Sequence, residues 1–588
     1  MPQLPKLLSS VRSRSDELAR IASATLTGIG AAAASVARSG RDGALTYLRA
    51  TNPELDFESD DDSGFFHQAQ PWTATRLKEV LHQQLKGERV IVVANREPRI
   101  HDFTADGSIR ERHPASGLVT ALEPVMRACS GVWIAHGSGS ADRESSDRHG
   151  RVQVQAGDAS YLLRRVWLTE EEERGYYYGF SNEALWPLCH LAHAHPIFRR
   201  DDWIQYERIN RRFADAVAAE AEGDDPIVLV QDYHFALVPR MLRKRFPRAT
   251  ILTFWHIPWP NAESFAICPY HEALLDGLLG SSIIGFQTAQ HGHNFLDSVD
   301  RSIEARVERQ DMAIVLHGRT TLVRPYPISI EWPNPWSAAA PDAETCRSGV
   351  RAELGLEPST RVVVSVDRLD YTKGIEERLR TFERALERRV PPADPLAFVL
   401  VGAPSRTRIE RYREFGDRVR TEVERINRRF GGPARIILCD RHCEPPEVFR
   451  LYRAADVCYV SSLHDGMNLV AKEFVSARDD GQGVLLLSQF AGASRELTEA
   501  IIVNPYDVES VAEALEAALA MPAAQQRDRM RAMRSHVAEH NVYRWAGRML
   551  VDATRLRHRE RLHGRLTDHP RRLKVKPNVL PAGVATTI

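Results

Sequence analysis

Residues 457–473 read VCYVSSLHDGMNLVAKE, a short apolar run followed by a polar turn and an apolar-periodic stretch. Four consecutive apolar residues at 457–460 are typical of a strand buried on both faces of a sheet. The periodic stretch after the turn is typical of a helix packed against that sheet. A strand that leads directly into a helix is the repeating unit of parallel α/β sheets, so this segment predicts one such unit.

The turn of this unit, at 465–468, would place free backbone N–H groups at the start of the helix. Such groups and the helix dipole attract phosphate, and Gly466 would let the backbone approach a ligand closely. Glu473 follows Asp465 by eight residues, about two helical turns, so both can face one side and Glu473 could accept hydrogen bonds from a ribose. Asp465 is equally a good N-cap for an ordinary helix, and this segment alone does not separate the two interpretations.

Similar apolar runs recur through the rest of the chain, with helical stretches between them. In the first half they lie at residues 90–94, 227–230, 251–254 and 283–286. In the second half they lie at residues 362–366, 398–401, 436–439, 484–487 and 501–503. A Pro-rich segment at 321–334 separates the two series and is typical of a domain junction. The pattern predicts an α/β fold of two Rossmann-like domains facing a cleft.

The expected domain limits follow from these runs. Residues 1–88 would form an N-terminal extension, partly helical or disordered, with an acidic linker at 54–62. Residues 89–335 would form the first domain and residues 336–545 the second. Residues 546–588 would form a terminal helix and a tail that is rich in arginine from Arg555 onward. For this tail a solvated, disordered segment is favoured over an arm that binds nucleic acid.

Composition excludes several classes of protein. A chain of 588 residues is too long for a single core, and its formal net charge of zero gives no global attraction to nucleic acid or membrane. Seven scattered cysteines argue against a disulfide framework and favour a reducing, cytoplasmic location. The nearest metal-like pattern, Cys439-x-x-His442-Cys443, has no second ligand pair near it in the sequence, so free thiols are favoured over a zinc site.

Polar residues follow several of the expected strands in both domains. The segments are Gln231-Asp232-Tyr233-His234, Trp255-His256-Ile257-Pro258, Asp367-Arg368-Leu369-Asp370-Tyr371-Thr372-Lys373-Gly374 and Gly402-Ala403-Pro404-Ser405-Arg406. Each residue alone has a structural explanation, such as a helix cap, a buried histidine or a local ion pair. Their recurrence at the carboxyl ends of strands favours a ligand site instead, because open α/β sheets bind ligands at that edge.

The charges among these residues predict an anionic substrate. Arg368 and Lys373, on one loop, could neutralise a diphosphate beside the helix start. Arg96 and Arg406, from opposite domains, could hold a second phosphate. Flat faces with polar edges, which are typical of sugar contacts, come from two aromatic residues, Tyr177 and Trp186.

Taken together, the motifs resemble those of the trehalose-6-phosphate synthase family. They are, in order, Asn95-Arg96, Ser116-Gly117-Leu118-Val119, Tyr177 with Trp186, Gln231-Asp232-Tyr233-His234, His256-Ile257-Pro258, Asp367-Arg368-Leu369-Asp370-Tyr371-Thr372-Lys373-Gly374 and Asp465-Gly466-Met467-Asn468-Leu469-Val470-Ala471-Lys472-Glu473. The resemblance spans residues 89–548. It implies the glycosyltransferase-B fold and a transfer of glucose from a nucleotide sugar, usually UDP-glucose, to glucose 6-phosphate with retention of configuration and without a metal or other cofactor.

The resemblance also implies roles for individual residues. The catalytic residues would be Arg368, Lys373, His256 and Asp465. The donor would contact Gly117, Arg368, Lys373, Asp465, Gly466, Met467, Asn468, Leu469 and Glu473. The acceptor and its phosphate would contact Arg96, Tyr177, Trp186, Asp232 and Arg406. Among these, Arg368 and Lys373 would hold the diphosphate, whereas Glu473 would hold the ribose.

The implied mechanism is a front-face displacement that yields trehalose 6-phosphate and UDP. The diphosphate leaves from the side on which the acceptor attacks, and one of its oxygens helps to take the acceptor's proton. No pair of carboxylates of the glycosidase kind is then needed. Positioning and stabilisation of the departing negative charge would be the main work of the protein.

Two positions depart from the family's usual pattern. Ser116 stands where the family usually has glycine, and His136 stands where it typically has a second tryptophan against the acceptor. Loss of that aromatic face leaves open another phosphorylated acceptor, as in the related glucosylglycerol-phosphate synthases. A non-catalytic sugar-phosphate sensor and a pseudo-glycosyltransferase that forms a C–N link are further hypotheses. The expected partners are small molecules, without nucleic acid or membrane, and a homo-oligomer stays open.

Overall fold

Two β-sheets with mainly parallel strands form the centre of the protein. The computed structural model describes residues 72–85, 88–113, 117–156, 159–389, 395–430 and 435–568. The strands of the first half are β1 Val90–Val93, β2 Ile100–Phe103, β3 Ile109–Arg112, β4 Val132–His136, β5 Arg151–Ala156, β6 Ala159–Val166, β7 Ile227–Gln231, β8 Thr250–Trp255, β9 Ile283–Phe286, β10 Arg306–Glu308, β11 Ala313–Leu316 and β12 Arg319–Pro325. Those of the second half are β13 Arg361–Arg368, β14 Leu396–Ala403, β15 Ile436–Cys439, β16 Val457–Val460, β17 Val484–Ser488 and β18 Ile501–Val503.

Helices connect these strands and cover the sheets. In the first half they are Ala74–Leu85, Gly117–Cys129, Glu170–Glu173, a π-helical segment Arg174–Leu185, Trp186–Cys189, Arg200–Glu220, Val238–Arg245, Ala262–Phe265, His271–Leu278 and Ala289–Ser302. In the second half they are Pro335–Ala339, Ala343–Glu353, Ile375–Arg388, Glu410–Phe430, Pro445–Ala454, Leu469–Ala477, Val508–Leu519, Ala523–Glu539 and Val542–Asp568. Short 3₁₀ turns lie at Tyr233–Phe235, Tyr371–Lys373 and Gly492–Arg495.

The first sheet has the strand order β10-β11-β12-β9-β8-β7-β1-β4-β6-β5. From β12 to β6 in this order the neighbouring strands are parallel, and antiparallel pairs occur only toward the two edges. The central strands β1, β7 and β8 are buried along their whole length. Helices on both faces of a parallel sheet cause this burial, which is why these strands are continuous apolar runs in the sequence.

The second sheet has the order β15-β14-β13-β16-β17-β18, and all of its strands are parallel. Its core is formed mainly by the central strands and by the apolar faces of the helices Ile375–Arg388, Glu410–Phe430 and Val508–Leu519. With the first sheet, this confirms the predicted α/β fold of two Rossmann-like domains.

The last helix, Val542–Asp568, returns from the second domain to the first. At its start the Trp545 indole donates to the Tyr326 carbonyl at 3.2 Å. Just before it, the Asn541 amide donates to the Trp72 carbonyl at 2.8 Å. The two domains are therefore tied by a second chain crossing in addition to the linker after β12.

The prediction of a solvated tail from Arg555 onward is wrong for its first part. The helix continues to Asp568, and the Arg557 side chain is buried between Asp225 (3.2 Å) and Glu88 (2.6 Å). These acidic partners are far away in the sequence, so the local run of arginines gave no sign of them. Residues 569–588 lie outside the described residues.

Two predicted limits also shift. Residues 1–71 of the predicted extension lie outside the described part of the chain, but the helix Ala74–Leu85 packs against the last helix and buries Leu77 and Leu81. The folded body therefore begins before residue 88. The expected junction at 321–334 begins inside the first sheet, because β12 extends to Pro325. Among the described helices, none is both long and apolar enough to cross a membrane.

Candidate active site

Each sheet has one point at which its strand order changes direction, and some of the predicted site residues follow the strands on either side of these two points. In the first sheet the point lies between β1 and β7, which are followed by Arg96 and Asp232. In the second sheet it lies between β13 and β16, which are followed by Lys373 and Asp465. Connections leave such a point toward opposite faces, so a crevice opens at the carboxyl ends of the two strands.

The turn after β16 is held by Asn468. This residue adopts a positive φ of 78°, and its side chain caps the helix Leu469–Ala477 by accepting from the Ala471 N–H at 3.3 Å. Asparagine tolerates the left-handed region better than most residues. Because Asn468 is the cap, the Asp465 carboxylate is free for another role, and the N–H groups of Leu469 and Val470 have no partner inside the helix.

The Asp465 carboxylate is paired with Lys373 across the second sheet. The Lys373 ammonium donates to Asp465 Oδ2 at 2.6 Å, and both side chains are largely buried. Burial alone would raise the pKa of Asp465, but the Lys373 ammonium prevails and lowers this pKa to about 2. Asp465 therefore carries its charge at neutral pH, beside the open helix start.

Backbone packing fixes the position of Lys373. Gly374, directly after it, has a positive φ of 64°, and a Cβ there would lie 2.2 Å from the Ser461 carbonyl oxygen. Only glycine allows this close approach of the β13 loop to the end of β16. On the same loop, Asp370 accepts from the Thr372 N–H at 3.0 Å and so holds the turn that carries Lys373.

Glu473 lies in the helix Leu469–Ala477, and the prediction that it faces the same side as Asp465 stays a prediction. The Tyr452 hydroxyl donates to Glu473 Oε2 at 3.3 Å. Burial raises the pKa of Glu473 to about 7. A carboxyl group whose other oxygen has no hydrogen-bond donor among the described residues keeps acceptor positions for the hydroxyls of a ribose.

Two arginines of the second domain pack against the Trp186 ring. The Arg406 guanidinium lies 3.9 Å from the Trp186 ring centroid, and the Arg368 guanidinium lies 5.7 Å from it. Both distances are typical of cation–π contacts. The predicted sugar platform therefore lies in the cleft, with its face against arginine in this structure.

Arg96 and Tyr177 form the other wall of the cleft. Arg96 Nη2 donates to the Tyr177 hydroxyl at 3.2 Å, and the Tyr177 ring is stacked on His234 at 5.7 Å. Burial would raise the pKa of Tyr177, but Arg96, Arg406 and Arg368 outweigh it and lower this pKa to about 8. Three guanidinium groups from both domains thus surround one hydroxyl, which is a suitable arrangement for a phosphate.

Arg406 is anchored by residues of both domains. Its guanidinium lies 3.2 Å from Asp370 Oδ2 and donates to the Tyr412 hydroxyl at 2.5 Å and the Tyr233 hydroxyl at 3.4 Å. Tyr233 belongs to the first domain and the other two partners to the second. Arg406 and Arg96 both act on the Tyr177 hydroxyl, and their joint binding of a phosphate stays a prediction.

Asp232 and His256 lie together at the carboxyl ends of β7 and β8. Asp232 Oδ1 accepts from the N–H groups of Tyr233 (3.0 Å) and His256 (3.2 Å). Burial raises the pKa of Asp232 to about 7, although these two N–H groups act in the opposite direction. Burial lowers the pKa of His256 to about 3, so its ring is neutral and lies 2.9 Å from Gln231 Oε1.

The two walls meet at Gly466. A Cβ at this position would lie 2.1 Å from the His256 carbonyl oxygen, so the turn after β16 is pressed directly against the first domain. This contact brings His256 and Asp465 to the same place, although they come from different domains. The prediction that both face one sugar unit is consistent with this placement.

His136 lines a small cavity of about 50 Å³ next to the Arg96–Tyr177 pair. The lining residues are Asn95, Arg96, Glu97, Ile100, His136, Ser138, Glu173, Tyr177 and Tyr178. Burial, assisted by the nearby Arg96, lowers the pKa of His136 to about 4. The cavity therefore offers a neutral imidazole beside the cationic cluster.

A larger cavity of about 990 Å³ lies at the opposite edge of the first sheet. Its walls include Asp225, Arg243, Arg319 and Arg557, near the beginnings of the strands. Parallel sheets bind ligands at their carboxyl edge, and the predicted residues lie there, so the smaller cavity marks the site. Of the remaining predicted residues, Met467 is buried in the turn, and Gly117 begins the helix Gly117–Cys129.

The family model described as Glycosyltransferase family 20 matches residues 88–555, which include both sheets and the cleft. The chain belongs to this family. It is 40% identical over 478 residues to the trehalose-6-phosphate synthase of Mycolicibacterium vanbaalenii, a match that covers 79% of this chain and 96% of the relative. A second relative, from Mycolicibacterium smegmatis, is 40% identical over 484 residues, with 80% and 93% covered.

Solved structures of the glycosyltransferase family are similar as well. A trehalose-6-phosphate structure from E. coli bound with UDP-2-fluoro glucose has a TM-score of 0.70 and 31% identity, and the match covers 79% of this chain and 99% of that one. The UDP-forming α,α-trehalose-phosphate synthase of Burkholderia xenovorans, in complex with glucose-6-phosphate, has a TM-score of 0.68 and 32% identity, with 79% and 100% covered. These matches confirm the predicted fold, the retaining glycosyltransferase class and the resemblance to trehalose-6-phosphate synthases.

In this family 20 glycosyltransferase, residues that the sequence did not single out also contact the predicted site residues. His190 packs its ring 4.0 Å from the Trp186 ring, and Ser462 donates to Asp465 at 3.1 Å. Tyr452 lies in the last turn of the amphipathic helix Pro445–Ala454, where nothing in the sequence distinguished it from a core aromatic. Only for His190 was a signal present, because it follows Trp186 by four residues and so lies one helical turn away.

Proposed function

We propose that the protein transfers glucose from UDP-glucose to glucose 6-phosphate with retention of configuration and releases trehalose 6-phosphate and UDP. One observation carries this proposal. The Lys373–Asp465 pair, at 2.6 Å beside an open helix start, faces the cluster of Arg96, Tyr177 and Arg406 across one narrow cleft. This geometry supports a donor site and a phosphate site that lie next to each other.

On the donor side, the diphosphate would lie between Arg368, Lys373 and the N–H groups of Leu469 and Val470. The two side-chain cations and the positive end of the helix dipole would together offset the diphosphate's charge of about −2. Glu473, with its single protein partner, would accept from the ribose hydroxyls. The relatives support this assignment, because the structure from E. coli was solved with a UDP-glucose analogue.

On the acceptor side, the phosphate would lie among Arg96, Arg406 and the Tyr177 hydroxyl. A phosphate oxygen can replace the Tyr177 hydroxyl as the partner of Arg96, which donates to that hydroxyl here. Asp232, with a pKa raised to about 7, would accept from a hydroxyl of the sugar ring. The synthase from Burkholderia xenovorans, solved with glucose-6-phosphate, supports this side of the proposal.

The reaction would break the bond between the glucose C1 and the diphosphate oxygen while the acceptor hydroxyl forms its own bond to C1 on the same face. The acceptor proton would pass to the departing phosphate oxygen. Lys373 and Arg368 would stabilise the negative charge that grows on the diphosphate, and the ionised Asp465 would stabilise the positive charge that grows on the sugar. Because protein cations supply this stabilisation, we propose that catalysis needs no metal or other cofactor.

His136 in the wall of the small cavity leaves one alternative acceptor open. An imidazole stands there in place of the aromatic face that would pack against a sugar ring. Another phosphorylated acceptor, such as glycerol 3-phosphate, would keep the phosphate contacts without needing that face. We also propose a cytoplasmic location with small molecules as the partners, and no nucleic acid or membrane partner; a homo-oligomer stays a prediction.

Release of nucleoside diphosphate with a panel of donors and acceptors tests the proposal. We expect UDP release from UDP-glucose with glucose 6-phosphate, unaffected by EDTA. Release only with glycerol 3-phosphate would favour the alternative acceptor. Tight binding of both substrates without release would indicate the non-catalytic sensor, and loss of rate after EDTA would overturn the metal-free mechanism.

A further inference from the structure

Cys439 and Cys443 lie side by side at the carboxyl edge of the second sheet. Their Sγ atoms are 3.3 Å apart. Cys439 ends β15, and Cys443 comes two residues before the helix Pro445–Ala454. The glycosyl transfer described above uses neither thiol, so the closeness of the two sulfurs needs another explanation.

A metal site does not fit this pair. Cys439, Cys443 and Glu447 bring ligand atoms within 4.8 Å of one another. However, Arg441 donates to both carboxylate oxygens of Glu447, one of them at 3.0 Å. A cation would have to displace this guanidinium and would be repelled by it. The two sulfurs are therefore left to react with each other rather than with a metal.

The surroundings favour thiol–disulfide chemistry. Cys439 is half-buried and Cys443 is buried, so a reagent in solution meets Cys439 first. The Arg441 guanidinium lies near both sulfurs. Burial raises the pKa of the Cys443 thiol, so the more exposed Cys439 is the thiol that reacts first.

The thiol pair is connected to the donor site through one helix. Pro445–Ala454 begins two residues after Cys443, and its Tyr452 donates to Glu473 at 3.3 Å. Glu473 is the carboxyl group assigned to the ribose. A shift at the start of this helix is thus passed along a rigid element to the donor-binding carboxyl.

We propose that Cys439 and Cys443 form a redox-active thiol pair whose oxidation by a small disulfide, such as oxidised glutathione, weakens donor binding. The Cys439 thiolate attacks one sulfur of the reagent, which forms a mixed disulfide and releases one thiol. Cys443 then attacks the Cys439 sulfur, and the second thiol leaves. Two electrons pass from the protein to the reagent, and the two cysteine protons end on the two released thiols.

Bond formation must draw the sulfurs closer together than 3.3 Å and so moves the start of the helix toward β15. The Tyr452–Glu473 hydrogen bond is then weakened. We expect the displaced Glu473 to lose one hydrogen bond to the ribose, so that UDP binds about tenfold more weakly to the oxidised protein. The reaction of the thiols stands independently, whereas its effect on UDP rests on the proposed donor site.

Thiol counting and calorimetry on the full chain test the proposal. Of the seven cysteines, we expect seven free thiols after reduction and two fewer after treatment with oxidised glutathione, with peptide mapping showing a Cys439–Cys443 bridge. UDP affinity, measured by isothermal titration on both forms, should fall about tenfold on oxidation and recover on reduction.

Cys439→Ser and Cys443→Ser should each abolish the change in affinity. Cys129→Ser, which removes a half-buried thiol of the first domain, should leave it intact.

Several outcomes would overturn the inference. They are persistence of all seven thiols, a mixed disulfide at Cys439 without a bridge, stoichiometric binding of added Zn²⁺ that protects both thiols, or equal UDP affinity of the two forms. If UDP binds to neither form, the proposed donor site fails and the effect on the donor falls with it. The peptide map then still decides whether the thiol pair exists.

Discussion

Lys373 and Asp465 show how one residue pair can serve both structure and chemistry. Their 2.6 Å contact lowers the pKa of Asp465 to about 2 despite burial, so the site carries a fixed positive and a fixed negative charge. An arriving diphosphate would share the Lys373 ammonium with Asp465. The residue types were predictable from the sequence, but the direct pairing was not, because Lys373 and Asp465 belong to different strands.

Removal of the Lys373 ammonium should abolish most of the activity. For Lys373→Ala we expect kcat to fall about 100-fold or more, the scale seen when one donor to a developing negative charge is deleted. Steady-state UDP release at saturating substrates measures this. Arg380→Ala, on an exposed side chain of the same domain, is the matched control and should keep wild-type turnover. A Lys373→Ala enzyme within threefold of wild type would contradict the assigned role.

Glu473 should give the ligand-free protein a characteristic pH dependence of stability. Its pKa is about 7 in the fold and about 4.5 ordinarily, so between these values the folded protein holds a proton that the unfolded chain has lost. Raising the pH from 4.5 to 7 therefore destabilises the fold, by at most about 3 kcal/mol and less because the side chain is only half-buried. Above pH 7 the penalty is constant. Glu473→Gln should raise Tm at pH 8 and change it little at pH 5.

The control for this measurement is Glu496, a carboxyl group whose pKa is shifted in the opposite direction. Burial would raise the pKa of Glu496, but Lys472, at 2.6 Å, lowers it to about 2. This group stabilises the fold above pH 4.5 and loses its effect as the pH falls toward 2. Glu496→Gln should therefore lower Tm at both pH 5 and pH 8. Equal effects of Glu473→Gln at the two pH values would show that burial does not shift its pKa.

At the scale of elements, the unit formed by β16 and the helix Leu469–Ala477 was predicted closely from its apolar pattern. The cap was not: Asp465 and Asn468 are both good capping residues, and sequence spacing does not show which of them adopts the positive φ. The structure assigns the cap to Asn468. This choice matters because it releases the Asp465 carboxylate for Lys373.

The close packing of the turn at Gly466 leads to a prediction about domain contact. Gly466→Ala would place a Cβ 2.1 Å from the His256 carbonyl oxygen, so the two domains would have to separate. We expect kcat/KM to fall at least about tenfold, because the donor and acceptor walls would no longer be aligned. Gly349→Ala is the control, since its nearest neighbour would be a flexible Arg450 nitrogen at 3.7 Å. Normal kcat/KM for Gly466→Ala would show that this contact is absent during catalysis.

At the scale of the whole molecule, the last helix was the main error of the sequence analysis. A run of arginines is usually a solvated surface, and local sequence contains no information about acidic partners hundreds of residues away. The two-domain architecture, in contrast, was predictable, because buried parallel strands are continuous apolar runs and polar residues follow them at one edge. The arrangement of the domains, and with it the arginines around Trp186, required the folded chain.

The return of the last helix should contribute to the stability of the whole protein. Arg557→Ala removes the buried one of the two guanidinium groups that pair with Asp225 and Glu88, and leaves them with Arg561 alone. We expect a loss of about 2 kcal/mol and a Tm lower by a few degrees in scanning calorimetry. Arg301→Ala removes an exposed ion pair with Glu263 and should change Tm very little. Similar Tm values for the two variants would mean that the helix is not held by these contacts.

The stereochemistry of the product tests the central claim most directly. In the proposed mechanism the acceptor attacks on the face from which UDP leaves. Proton NMR of a reaction of UDP-glucose with glucose 6-phosphate should therefore show a 1,1-linked disaccharide phosphate in which the transferred glucose keeps its α configuration from the start of the time course. A product with a β-linked glucose, or free glucose without any disaccharide, would contradict the account.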